Sequence, residues 1–121
     1  MRTEDADRVR TIATDRGLAS YMDDTKWREV CALFRNQYRS PRFRVHDLLA
    51  ISDNHVSEWD REWYYHPRPC NSIQWLEIEL PPERVAQALA QCKAIGAAVE
   101  PTPAGLRIWG WVGAADRPQF A

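Results

Sequence analysis

The sequence predicts an α+β fold with a largely antiparallel sheet, and three observations predict it. Apolar residues recur at helical spacing in three segments. They alternate with period two in several others, and the link from His66 into the strand that starts at Ser72 is too short for a parallel crossover. The expected order is two N-terminal helices, a sheet of about five strands, and one helix before a C-terminal hairpin. At 121 residues the chain has the size of one domain with its own core. Residues 1–113 are expected to form it, with 114–121 as a loose tail.

The first helix is expected from about Glu4 to Arg16. Thr3 is placed to cap it, Glu4, Asp5 and Asp7 complement its positive end, and Gly17 stops it. Its apolar face is thin, with Val9, Ile12 and Ala13 as the clear core contacts. The second helix starts at Asp23-Asp24-Thr25, any of which can cap it. Its Trp27, Val30, Cys31 and Phe34 stripe at i, i+3, i+4 and i+7 reads as core rather than a cofactor box. It should end at Asn36 or Gln37, before Ser40-Pro41.

Arg42-Phe43-Arg44-Val45-His46 alternates cleanly, predicting a strand with Phe43 and Val45 inward and Arg42, Arg44 and His46 outward. Asp47 can cap a short turn over Leu48 to Ile51. The second half of Glu58 to His66 reads as a strand on β propensity, with Trp59, Trp63 and Tyr65 sharing a parity. Pro67 and Pro69 then force an extended connection.

Ser72 to Leu80 is the expected central strand. Ile73 and Trp75 share one parity, whereas Leu76, Ile78 and Leu80 share the other. Either a bulge between Trp75 and Leu76 restores one buried face, or apolar material covers both faces. The two-faced pattern of the last strand favours double coverage. Pro81-Pro82-Glu83 starts the third helix, whose stripe is Val85, Ala88, Leu89 and Cys92, and Gly96 ends it. Residues 97–100 and 106–112 then form a hairpin around Pro101 to Gly105, the second read as one strand with Arg107, Trp109 and Trp111 on one face.

Sixteen basic and seventeen acidic residues leave a net charge of −1, so no global field favours nucleic acid or an anionic membrane. The polar N-terminus lacks the apolar core of a secretory signal and no later run is long enough to span a membrane, so a cytoplasmic protein is expected. Cys31, Cys70 and Cys92 are odd in number and form no C-x-x-C pair, arguing against a disulfide framework or a zinc site. His46, His55 and His66 lack metal-ligand spacing, and neither Ser72 nor Cys70 sits in a nucleophile elbow. Neither a cofactor nor a metal is expected, no catalytic residue is assigned, and an enzyme is the less favoured reading.

Two surfaces carry functional expectations. Trp75, Trp109 and Trp111 sharing a face with Glu77, Glu79 and Arg107 would suit a protein partner, since interfaces favour Trp and Arg anchors. The same carboxylates read more simply as solvated strand charges than as an acid and base pair. Arg35, Arg39, Arg42 and Arg44, interleaved with Tyr38 and Phe43, form the alternative, a nucleic-acid patch. The near-neutral total and the inward direction of Phe43 weigh against it.

Three segments carry a resemblance: Tyr21-Met22-Asp23-Asp24-Thr25-Lys26-Trp27-Arg28-Glu29, Ser72-Ile73-Gln74-Trp75-Leu76-Glu77-Ile78 and Ile108-Trp109-Gly110. With them the chain resembles, from about Val9 to Val112, a small bacterial family classed only as a domain of unknown function. The resemblance implies one compact α+β domain and brings no activity or catalytic residue. The expected function is a cytoplasmic protein-binding module, an immunity protein that neutralises a bacterial toxin, present as a monomer or small homo-oligomer.

Overall fold

The structure, a computed structural model, describes residues 3–49, 55–63, 72–114 and 116. Its order is α1 (Thr3–Arg16), β1 (Ala19–Ser20), α2 (Asp24–Gln37), β2 (Phe43–Asp47), β3 (Ile73–Glu79), α3 (Pro82–Ile95), β4 (Val99–Pro101), β5 (Gly105–Trp109) and β6 (Trp111–Val112). The main sheet runs β2-β3-β5-β4 with antiparallel neighbours throughout, and β1 pairs with β6 in a separate two-stranded sheet. The α+β class, the three helices and the antiparallel arrangement are as the sequence predicts.

Local chemistry sets the helix ends. Asp23 is the residue that caps α2, its carboxylate accepting the Lys26 N–H at 2.8 Å. After Tyr38 the chain turns sharply with Arg39 and Ser40 both at positive φ, 57° and 50°, and the Ser40 N–H donates to the Phe34 carbonyl at 3.0 Å. Pro82 lies in the first turn of α3, and Gly96 closes that helix at φ 90°, donating to the Lys93 carbonyl. Tyr38 ties the two helices together: its hydroxyl donates to Gln91 Oε1 and its ring carries the Arg84 guanidinium 4.1 Å above it.

One layer of core fills the space between α2, α3 and one face of the main sheet. Trp27, Val30, Leu33 and Phe34 of α2 and Ala88 and Cys92 of α3 meet Leu76, Ile78, Leu106, Ile108 and Val99 of the strands. Residues of this size each contribute about 1.5–3 kcal/mol on full burial, and several here are completely enclosed. Trp63 closes one end of the layer, its ring 4.6 Å from Phe43 and 5.5 Å from Phe34, with its Nε1–H donating to the Pro41 carbonyl at 2.7 Å.

Three sequence expectations are corrected here. The parity change in β3, expected to reflect apolar cover on both faces, is instead resolved by a register shift: Asp47 faces Ile73 while His46 faces Trp75, so Gln74 is an extra residue without a β2 partner. Ile73 thereby joins Leu76 and Ile78 in the core, and Trp75 is left on the other face with Glu77 and Glu79. The irregularity precedes Trp75 instead of following it.

Second, 106–112 is not one strand. Gly110 breaks it, because a Cβ there would lie 2.1 Å from the Ile73 carbonyl oxygen. That close approach lets its N–H donate to the Gln74 carbonyl at 2.8 Å and its own carbonyl accept from Tyr21. The chain then leaves the main sheet, and Trp111 pairs with Ser20 of β1.

Third, Trp59 and Trp63 do not share a side. The segment meets β2 through the isolated bridge between Phe43 and Asp60 and through Ser57, which bonds both backbone groups of Val45. It turns at Trp63, sending that ring into the core and Trp59 to the opposite face. The expected strand at Tyr64 to His66, Cys70, and the tail beyond Asp116 lie outside the described residues.

Candidate functional site

The face of the main sheet opposite α2 and α3 is built by three adjacent strands. Alternation on β2 projects Arg44 and His46, on β3 Trp75, Glu77 and Glu79, and on β5 Arg107 and Trp109. Antiparallel register aligns them in rows. His46, Trp75 and Trp109 form one row, and Arg44, Glu77, Arg107 and Glu100 form the next. Arg42, just before β2, extends the pattern to Glu79.

Glu77 is the centre of this arrangement. Its side chain is only 4% exposed, and Arg44 covers it with Nε at 2.8 Å and Nη2 at 2.7 Å from Oε1. Arg107 approaches the same oxygen from the other side, but its Nη2 is 3.9 Å away, too far for a hydrogen bond. One row along, Arg42 grips Glu79 with two bonds of 2.9 and 2.5 Å, in the bidentate geometry that a guanidinium favours. This hydrogen-bonded pairing is the main reason the Glu79 carboxyl titrates below its ordinary range. Both of its members are 42% exposed, so solvent screens the pair.

Tryptophans floor these arginines. Arg44 lies 4.7 Å and Arg42 5.5 Å over the Trp59 ring, and Arg107 lies 4.1 Å over Trp75 and 5.7 Å from Trp109. Trp109 is buried and its Nε1–H donates to Glu100 Oε1 at 2.8 Å. His46 is buried against Trp75, ring centres 5.6 Å apart, and its Nδ1 donates to the His55 carbonyl at 2.8 Å.

The structure thus brings together Trp75, Glu77, Glu79, Arg107 and Trp109 and leaves out Trp111, which lies beyond the Gly110 break. The face is also less open than a bare aromatic patch. Among the described residues the large exposed hydrophobic side chain is Tyr21, whereas Trp75 is half-buried beneath Arg107. Of the basic group, Arg42 and Arg44 join this face, while Arg35 lies in the last turn of α2 and Arg39 in the turn after it. Tyr38 and Phe43 are both buried.

Sequence reasoning missed Trp59, His46 and Glu100 as members of the face and put Arg42 and Arg44 in a separate patch. A usable signal existed: Arg42-x-Arg44 and Glu77-x-Glu79 have opposite charges at the same two-residue spacing, which suits directly facing antiparallel positions.

Among the described residues, no group of three potential ligands stands close enough to hold a metal ion, and no helix is long and apolar enough to cross a membrane. Cys92 is fully enclosed in the core, and burial pushes its thiol up to about 12.

A family model, Family of unknown function (DUF6678), matches residues 9–114. The chain belongs to this family. The DUF6678 match begins within α1 and ends just after β6, so it takes in both sheets, α2, α3 and every residue of the arginine and tryptophan face. No curated protein and no solved structure matches the chain.

Proposed function

We propose that this DUF6678 protein is a non-catalytic protein-binding module that meets its partner through the face formed by Arg44, Trp75, Glu77, Arg107 and their neighbours. The single observation that carries this reading is the stacking of three arginines on tryptophans across a sheet face that neither α2 nor α3 covers. Arg and Trp are the residues most often found to dominate binding energy at protein interfaces. Stacking and ion pairing hold these side chains in place before a partner arrives, which lowers the ordering entropy that binding must overcome.

Charge balance favours a protein over a polyanion. Arg42, Arg44 and Arg107 face Glu77, Glu79 and Glu100, so the face as a whole is neutral. The alternative, nucleic-acid binding through Arg35, Arg39, Arg42 and Arg44, has weaker support, because Arg42 and Arg44 are engaged by carboxylates and the interleaved aromatics are buried.

The partner class we propose is a bacterial toxin, neutralised by stoichiometric binding in the cytoplasm. A small domain with a preformed mixed-charge face suits that task. Co-expression with the products of adjacent genes, followed by purification through a tag on this chain, tests it. A stoichiometric complex that protects cells and is weakened at least about tenfold by Trp75→Ala combined with Arg107→Ala is the expected result. Failure to bind any neighbouring product, or a complex indifferent to those substitutions, would overturn it.

A further inference from the structure

Arg107 differs from the other two arginines of the face in how its charge is met. Arg42 has two hydrogen bonds to Glu79, and Arg44 holds Glu77 at close range. A guanidinium carries five N–H donors. Among the described residues, none of those of Arg107 reaches an acceptor: Glu77 is 3.9 Å away and already held by Arg44, and the Arg107 Nε is buried without a hydrogen-bond partner. The side chain is nevertheless 26% exposed, so its group is approachable from solvent. It is also fixed in place, over Trp75 on one side and beside Trp109 on the other, with Trp109 itself anchored by Glu100.

A partly buried cation whose donors are unmet is costly alone and binds a complementary anion with little reorganisation. We infer that Arg107 is the receptor for a single carboxylate, supplied by an aspartate or glutamate side chain of a partner protein that seats against Trp75. This rests on the protein-binding reading above and narrows it to the chemistry of the partner's anchor. One carboxylate is the fitting occupant because, among the described residues of the face, one guanidinium, that of Arg107, has hydrogen-bond donors that reach no acceptor. A phosphate chain would need several, and Glu77, Glu79 and Glu100 would repel its remaining charge.

The experiment uses the full chain labelled with nitrogen-15, observing the Arg107 Nε–H and the indole N–H of Trp75 and Trp109 during titration. Three probes are compared: a blocked Gly-Glu-Gly peptide, the same peptide with Gln, and a single-stranded oligonucleotide. Saturable shifts of the Arg107 and Trp75 signals with the Glu peptide, and at least about tenfold weaker response to the Gln peptide, are expected. Arg107→Lys should weaken the Glu response, because an ammonium loses the planar fork. Glu77→Gln, which removes the competing internal carboxylate, should strengthen it.

Equal response to the Glu and Gln peptides, no shift at Arg107, or a stronger, salt-sensitive response to the oligonucleotide would each overturn the inference. Absence of peptide binding together with a partner complex sensitive to Trp75→Ala would remove the carboxylate receptor and leave the protein-binding reading standing. The unsubstituted protein supplies the primary readout, so the test does not depend on any variant folding.

Discussion

Glu77 and Glu79 are two residues apart on one strand, carry the same charge and face arginines, yet burial gives them different roles. Glu79 and Arg42 form an exposed pair that solvent screens, so it adds little to stability. Glu77 is enclosed, and deleting it strips Arg44 of its carboxylate and leaves two cations side by side on a sheet face. We expect Glu77→Ala to cost about 2–3 kcal/mol in urea unfolding and Glu79→Ala distinctly less. Equal losses would mean that Arg44 and Arg107 find solvent easily when Glu77 is gone. Acid should act on the weaker pair in a defined direction. Folded Glu79 holds its proton less tightly than an ordinary glutamate at 4.5, so its contribution is present above that pH and fades as pH falls through the depressed folded value. The stability difference between the wild type and Glu79→Gln should accordingly shrink toward zero in that acid window, at low salt.

At the scale of elements, the helices were legible and the strand boundaries only partly so. The stripe from Trp27 to Phe34 and the bracketing by Pro82 and Gly96 are local signals, and both helices form where those signals stand. Gly110 behaves differently. Trp109-Gly110-Trp111 continues an alternating pattern, so nothing local marks a break; the break exists because β3 passes so close that only hydrogen fits. Gly110→Ala must displace the Ile73 backbone carbonyl and the Trp27 ring together. A loss of about 2–4 kcal/mol is expected, read as a lower midpoint in denaturant. A neutral outcome would mean that the junction between the two sheets yields, which the hydrogen bonds of Gly110 to Gln74 and Tyr21 argue against.

For the whole molecule, the consequence of this topology is that α2 and α3 pack on one face of the main sheet while arginines and tryptophans occupy the other. The enclosed layer makes a specific prediction about Cys92. Fully buried, with its thiol pushed up to about 12, it should be inert to a disulfide reagent at pH 8 in the folded state. In a Cys31→Ser, Cys70→Ser background its labelling should follow the rate or equilibrium of global unfolding and speed up in step with added urea. Fast labelling without urea would show that α3 opens by itself.

The sequence by itself determined the α+β class, the three helices, the antiparallel links and the inward residues of the clean alternations, because periodicity, capping and short connections are local properties. It also carried Trp75, Glu77, Glu79, Arg107 and Trp109 as a face, since period-two spacing assigns parity directly. Tertiary structure alone decided that Gln74 bulges, that Gly110 ends β5, that Trp111 leaves for β6, and that Trp59 joins the arginines while Trp63 turns inward. Each of these depends on how closely one backbone passes another, a distance set by the packing of segments far apart in the chain. The same packing gives Arg44 the carboxylate of Glu77 and leaves Arg107 short of it.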